Sequence, residues 1–428
     1  MNQEMKTTLL HDWHVKNGAN MAAFGAYDMP LWYPLGVKGE HLAVIHSAGL
    51  FDTSHMAVVL VEGQDARALL QRCLSKDLER CLGLQKTALV EGRCVYGIFL
   101  NEQGHVIDDS IVSQVSGELY MVVVNAGMGG VIATHLAEHA GPKMQVKVTD
   151  LTDRLGKIDI QGPNSARLLG KLLKDPRAVF TQFPYFSMKG WFNHDVAGIE
   201  SVELLDGTPL LLSRTGYTGE FGFEIFLAPE KLVYLWEKLL AVGKDDSLEP
   251  CGLAARDSLR AGAVLPLSHQ DIGAWPFAEN PWPFAVADRD KDGQFTKNFI
   301  GAEALSALTA TEYTLPFAGY DLRKMAVSEN SYVVDEAGKR VGIILTCATD
   351  MAIGRVGDNI VSVATSEKDG KPEGFSPRGL CCGFVKVDRH FKPGDIVELT
   401  DGKRVIKVEI RSDIRPDRTA RRPIREMF

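Results

Sequence analysis

The sequence predicts an α+β fold with largely antiparallel sheets, followed by a β-barrel-like C-terminal domain. Two patterns carry the first part. Segments with period-two alternation and β-branched residues are interspersed with helical spacings but do not alternate strictly with them, as a doubly wound parallel sheet would demand. Hairpin-like turns such as Asn101-Glu102-Gln103-Gly104 are frequent. The third observation is a shift in composition after about residue 315 towards Val, Ile, Gly and Asp. A chain of 428 residues allows about three domains.

In chain order, a strand is expected over 56–61, a helix over 65–73, and strands over 95–100 and 119–124 on either side of the Asn101 turn and the acidic run that follows it. Helical spacing returns over 130–139. A strand over 157–160 precedes Gly162-Pro163, where Asn164-Ser165 offers a cap for a helix over 165–173. Strands over 210–213 and 223–227, a helix over 229–242 and a helix over 301–308 complete the first part. Beyond it, turn signals at Asp335-Glu336-Ala337-Gly338 and Lys392-Pro393-Gly394-Asp395 separate the expected barrel strands. The last stretch carries Arg411, Arg415, Arg418, Arg421, Arg422 and Arg425, expected as a solvated face or as local pairing.

Composition excludes several classes. With 45% hydrophobic and 24% charged residues the chain is neither disordered nor collagen-like. The 47 Lys and Arg against 55 Asp and Glu leave a net charge of −8. That disfavours a nucleic-acid or membrane-surface binder, both of which need a concentrated positive field. No stretch approaches the roughly 18 apolar residues of a membrane span, and the start, from Met1 to Lys6, is polar. Seven cysteines include no C-x-x-C, and the adjacent Cys381-Cys382 is awkward for a structural disulfide. Buried thiols in a reducing cytoplasm are expected.

Three motifs fail on inspection. His135-Leu136-Ala137-Glu138-His139 has the H-x-x-E-H spacing of inverted zinc peptidases, with both imidazoles on one helix face, but no third carboxylate ligand is identifiable downstream. Asp288-Arg289-Asp290-Lys291-Asp292-Gly293 begins like a calcium loop, yet Phe299 stands where the closing Glu belongs, so a polar turn is expected. Asn125-Ala126-Gly127-Met128-Gly129-Gly130 has Ile132 where the third dinucleotide-loop glycine should fall. Walker A, G-x-S-x-G and H-E-x-x-H patterns are missing from the sequence.

Four segments survive. Val106-Ile107-Asp108-Asp109-Ser110 places two carboxylates in an apolar strand, where ionised groups need partners. Because successive residues face opposite sides, one Asp can look into a cavity while the other pairs structurally. Arg214-Thr215-Gly216-Tyr217-Thr218-Gly219-Glu220-Phe221-Gly222-Phe223-Glu224 combines close backbone approach at its glycines with a carboxylate, Glu224, in apolar strand context. Glu224 suits either a ligand with adjacent N–H donors or an internal partner. In Pro250-Cys251-Gly252-Leu253-Ala254-Ala255-Arg256-Asp257, Arg256 can donate to a ligand carboxylate, to Glu224 or to Asp257. Phe51-Asp52-Thr53-Ser54-His55-Met56 reads as a structural polar turn feeding a strand.

Together with Phe24-Gly25-Ala26-Tyr27-Asp28-Met29-Pro30-Leu31, Ala48-Gly49-Leu50-Phe51-Asp52, Gln161-Gly162-Pro163 and Lys297-Asn298-Phe299-Ile300-Gly301, these segments resemble the glycine cleavage system T-protein family, the tetrahydrofolate-dependent aminomethyltransferases. The resemblance runs from about residue 15 to 305. It implies a cloverleaf: two interlaced folate-binding α+β subdomains within 1–315 and a barrel-like domain over 316–428. It implies Asp108 as the catalytic carboxylate and Glu224 as the pterin-bonding one, with Tyr96, Asn125, Tyr185, Phe186, Tyr217 and Arg256 in the folate pocket. Tetrahydrofolate would be the one-carbon acceptor, lipoylated H-protein the partner, and no metal would be needed.

The sequence departs from the family pattern in places. Ile45 stands where members commonly carry Arg, and Ala126-Gly127-Met128-Gly129-Gly130 replaces a charged run after Asn125. Thr346-Cys347-Ala348-Thr349-Asp350-Met351 replaces an expected S-G-x-F-S-P-type segment, and Pro276-Phe277-Ala278-Glu279-Asn280-Pro281-Trp282 is unusual. These fall mainly outside the pterin-facing set and partly where the donor would sit. A folate-dependent demethylase of small methylated compounds and a non-catalytic folate-binding protein stay open as alternatives.

Overall fold

The computed structural model describes residues 5–193, 196 and 198–428, so residues 1–4 of the polar start lie outside the described residues. The α+β expectation holds, with mostly antiparallel sheets and a closed six-stranded barrel in the C-terminal region. Among the described residues no helix is long and apolar enough to cross a membrane.

Two larger sheets build the N-terminal part, beside a three-stranded one of Lys6–Thr7, Tyr27–Trp32 and Asn20–Phe24. In one, strands Arg93–Leu100, Val106–Gln114, Leu119–Val124, Ala57–Glu62 and Lys147–Asp150 lie side by side, antiparallel throughout. In the other the order is Met188–Gly190, Leu211–Ser213, Gly222–Leu227, Gly156–Gln161, Ala48–Asp52 and Leu248–Pro250, with only the last pairing parallel. The chain enters the six-stranded sheet at Ala48, leaves it to build the five-stranded sheet, and returns at Gly156.

Strand Leu119–Val124 shows how the sequence dictates the layers. All six residues are buried. Tyr120, Val122 and Val124 face a core shared with Leu69, Leu70, Ile132 and Leu136 of helices Ala66–Cys73 and Gly129–His139. Leu119, Met121 and Val123 face a second core with Trp191, Leu211 and Phe226, which joins this sheet to the other. Burial on both faces explains why the run is continuously apolar instead of alternating.

The helix expected over 165–173 is shorter, Ser165–Gly170. Asn164 occupies its cap position, but the side chain donates to Ser47 Oγ at 3.1 Å instead of capping. The helix expected over 229–242 is a short 3-10 turn, Pro229–Lys231, running into Leu232–Gly243. Gly104 takes φ of 74° in the hairpin turn that joins Arg93–Leu100 to the Asp108 strand, a conformation that favours glycine.

In the barrel, Tyr313–Gly319 pairs with both Leu380–Val387 and Val405–Ile410, which closes the sheet on itself and leaves no edge. The chain then runs back to the N-terminal part: Ala420 N–H donates to Gly219 O at 3.1 Å and Phe221 N–H to Thr419 Oγ1 at 2.9 Å. The arginine run divides accordingly. Arg411 and Arg418 pair locally with Glu409 and Asp413. Arg415 is fully buried, contrary to the expectation of a solvated face, because it answers two buried carboxylates: Asp350 at 2.5 Å and Glu220 at 3.2 Å. All seven cysteines are free and five are buried. Asp288–Gly293 forms a polar turn, with Asp290 accepting N–H bonds from Asp292 and Gln294.

Candidate active site

A cavity of 1660 Å³ is lined by residues of both N-terminal sheets, helix Leu253–Gly262, the loop after that helix and the barrel loops. It exceeds the common ligand-pocket range of about 300–1,000 Å³, so it has room for a large substrate and a second reactant together. Of the site residues expected from sequence, Tyr96, Asn125, Tyr185, Phe186, Tyr217, Glu224 and Arg256 all line it. Asp108 does not; its neighbour Asp109 does.

The acid pair divides as the strand geometry requires. Asp108 is wholly buried, and its oxygens accept from Asn125 N–H at 2.9 Å, Asn125 Nδ2 at 2.8 Å and Ser268 Oγ at 2.8 Å. His269 Nε2 stands 3.6 Å from it, and the Asp108 carboxylate raises the imidazole pKa. Asp109 accepts from Tyr96 Oη at 2.7 Å and from the same Asn125 Nδ2 at 2.6 Å. Neighbours on a regular strand point apart, yet one amide reaches both acids. A register shift lies immediately before them: Phe99 pairs with Asp108 but Leu100 with Val106, leaving Ile107 as an extra residue. Such bulges re-aim side chains beside functional sites. Burial, reinforced by the charge of Asp108, pushes the Asp109 carboxyl up to about 6.

Glu224 belongs to a buried chain of alternating charge. Asp159 and Glu224 face each other across strands Gly156–Gln161 and Gly222–Leu227. Lys157, two residues from Asp159 and thus on the same face, donates to Asp159 at 2.8 Å and to Glu224 at 2.7 Å. Arg256 donates to Asp159 at 2.9 Å, so its partner is neither Glu224 nor Asp257; the latter is taken by Arg260. Against the burial that favours its neutral form, Lys157 and Arg256 hold Asp159 below the usual carboxylate range. The second oxygen of Glu224 accepts from Thr215 Oγ1. The chain thus carries two cations against two carboxylates and no net charge.

Aromatic groups form the walls. The Arg256 guanidinium lies 5.0 Å from the Tyr217 ring centroid, and Tyr217 Oη donates to Pro266 O. Tyr185 and Phe186 meet edge to face at 4.8 Å, and Arg421 from the tail stands 5.8 Å from the Tyr185 ring. Phe186 takes φ of 57°, the left-handed region that bulky residues rarely adopt.

Against this geometry the chain was compared with known proteins. The family model described as the GCVT N-terminal domain matches residues 10–275. The aminomethyltransferase of Bacillus cytotoxicus is 37% identical over 340 residues, spanning 79% of this chain and 84% of that one. The chain belongs to the GCVT aminomethyltransferase family. The aminomethyltransferase of Desulfitobacterium hafniense is 34% identical over 80% of this chain and 85% of its own. A crystal structure of the glycine cleavage system aminomethyltransferase T from Bartonella henselae superposes with a TM-score of 0.72 at 26% identity, covering 95% of this chain and 97% of that one. This GCVT-family member is therefore a transferase, with the fold of the glycine cleavage T-protein.

Sequence reasoning passed over several cavity residues of this family member. His55, which burial pushes down to about 4, sits in the turn read as structural. Behind the cavity wall, Lys157, which answers Glu224, carried no motif either; its signal was a lysine inside an apolar strand, a charge that must have a partner. Ser268 and His269 lie on the loop after the Arg256 helix, and Arg421 lies in the tail; nothing local in the sequence aims them at the cavity.

Proposed function

We propose that this protein moves the one-carbon unit from the aminomethyl-lipoyl arm of H-protein to tetrahydrofolate, with release of ammonia. The observation that carries the reading is one cavity joining a raised, partnered acid at Asp109 to the buried carboxylate of Glu224, held in a chain of balanced charges, between aromatic walls. A carboxylate held at fixed geometry accepts adjacent ring-edge N–H donors, and stacked aromatics hold a planar ring. In this reading Glu224 binds the pterin edge, Tyr185 and Phe186 flank it with Tyr96 and Tyr217, and Arg256 fixes Tyr217.

In the transfer, folate N5 and N10 form bonds to the methylene while its C–S and C–N bonds break. The two folate N–H protons end on the departing sulfur and nitrogen, so nothing is oxidised or reduced. Ionised Asp109 stabilises the cationic one-carbon centre and assists the proton movement. Asp108, saturated by Asn125 and Ser268, positions the pair; this assigns the cavity-facing role to Asp109 and the anchoring role to Asp108.

One observation favours a second reading, demethylation of a small methylated compound onto tetrahydrofolate. Ala126, in a run without charges, lines the cavity beside Asn125, where an acidic or basic rim would suit a carrier protein. A tetrahydrofolate-dependent transfer assay decides, with aminomethyl-loaded H-protein run against methylated amines, sulfonium compounds and aryl ethers. Turnover with H-protein supports the first reading and turnover only with a methylated compound the second. If tetrahydrofolate neither shifts thermal unfolding nor accepts a carbon from any donor, both readings fail.

A further inference from the structure

The H-x-x-E-H segment has no part in the transfer, yet its surroundings are chemically specific. His135 and His139 lie one turn apart on helix Gly129–His139, and Cys73 is the last residue of helix Ala66–Cys73. One ligand atom from each of the three lies within 4.8 Å of the others. The missing third ligand of the motif therefore comes from upstream, and it is a thiol. Glu138, the base a peptidase would need, is exposed, which removes hydrolysis but not metal binding.

Two further observations point to a ligand. His135 is 8% exposed, and its Nε2 is buried without a hydrogen-bond partner among the described residues, a state that proteins rarely leave uncompensated. His139 Nδ1 lies 2.7 Å from the carbonyl oxygen of His135. A carbonyl only accepts, so Nδ1 carries the proton and Nε2 keeps its lone pair. This is the outer hydrogen bond that metal-bound histidines usually make to fix their tautomer. The rings already stand together, with centroids 4.6 Å apart.

We infer that Cys73, His135 and His139 form a binding site for a borderline-soft divalent transition metal, with Zn²⁺ the best match. One thiolate and two imidazoles suit tetrahedral zinc, and the fourth position falls to solvent on the side of half-buried His139. Bond lengths of about 2.0 and 2.3 Å place ligand atoms roughly 3.3–3.5 Å apart, so the three close by about 1 Å through side-chain rotation. Cys73 gives up its proton on binding. The bound ion pins the two helices that cover one face of the five-stranded sheet; it is structural and separate from the transfer cavity.

The test uses the full-length protein stripped with chelator, then loaded with Zn²⁺ or Co²⁺ and desalted. The expected result is about one equivalent of zinc retained, a higher unfolding temperature with zinc, and a thiolate-to-cobalt charge-transfer band beside tetrahedral Co²⁺ absorption. His139→Ala, at a half-buried position, weakens binding at least about tenfold. Cys73→Ser abolishes the charge-transfer band, and His105→Ala, outside the cluster, changes nothing. No retained zinc in the wild type, zinc retained equally by both cluster variants, or cobalt bound without the thiolate band overturns the inference.

Discussion

Replacing Asp109 by Asn separates what this carboxylate does for the reaction from what it costs the fold. Burial and the neighbouring Asp108 move its pKa from 3.8 to about 6. A raised carboxyl binds its proton more tightly in the folded than in the unfolded chain. Its ionisation therefore lowers stability as pH rises from about 4 to 6, by about 3 kcal/mol at 1.36 kcal/mol per pKa unit. Asparagine carries no charge but has one acceptor oxygen for two donors, Tyr96 Oη and Asn125 Nδ2. Losing one such bond costs about 1 kcal/mol. The net expectation at pH 7.5 is that Asp109→Asn is more stable than the wild type by about 1–2 kcal/mol, while one-carbon transfer falls about 10²- to 10⁴-fold. Denaturant unfolding at a series of pH values reads the first, and the tetrahydrofolate-dependent transfer assay the second. The stability gain must shrink below pH 6 and reverse below pH 4, where the wild-type group is neutral as well. A variant that is less stable than wild type at pH 7.5, with a difference that does not change with pH, refutes the electrostatic reasoning. A variant that transfers carbon at the wild-type rate refutes the role.

Tyr96→Phe removes the hydroxyl that donates to Asp109. The acid limb of kcat/KM, expected near pH 6 in the wild type, should move upward by up to about one unit. Lys157→Met leaves Glu224 without its cation and Asp159 with Arg256 alone; the expected loss is about 3–5 kcal/mol of stability in denaturant unfolding, with weakened tetrahydrofolate binding by calorimetry. Arg415→Met strands Asp350 and Glu220 in the interior and should cost a similar amount. Against burial, Arg415 and His41 hold the Asp350 carboxyl below its usual range. The stability from that pairing is present above pH 4 and lost as pH falls below it, so the variant should show a flatter acid limb of unfolding.

Local pattern made much of the architecture legible. Strand 119–124 was legible to the residue through its β-branched content, although burial on both faces makes it an unbroken apolar run and not the alternating one expected, and the barrel announced itself through β-branched residues between Gly-containing turns. The pocket aromatics were legible only through resemblance, since Tyr96 and Tyr185 have no distinguishing neighbours in the chain. The resemblance pointed to Asp108, and alternation alone could not choose between it and Asp109, because period two says that they diverge but not which way. What decides it is which side of the strand meets Ser268 and which meets the cavity, information held in the tertiary arrangement and not in the strand. The protein partner of Arg256 was hidden for a related reason: Asp159 lies 97 residues away on a sheet strand, while Asp257 stands next to Arg256 in the chain. The burial of Arg415 was hidden in the same way, behind a run of arginines that looks solvated until Asp350 and Glu220 are brought against it.

Of the carboxylates that reach the cavity, Asp109 and Glu224 are held by opposite strategies, and the difference bears on what each can do. Glu224 is balanced: Lys157 answers it, Asp159 answers Lys157, and Arg256 answers Asp159, so the chain is neutral before any ligand arrives. A group so balanced offers hydrogen-bond acceptors at fixed positions without pulling strongly on charge, which suits recognition of a ring edge. Asp109 has hydroxyl and amide donors but, among the described residues, no Lys or Arg ion pair, and a second acid is held in the adjacent position. That arrangement leaves its charge uncompensated, destabilises the protein at neutral pH, and would be relieved by any positive charge entering the cavity. A one-carbon unit passing between a sulfur and a folate nitrogen is cationic as it moves, so the species that relieves Asp109 best is the one nearest the transition state.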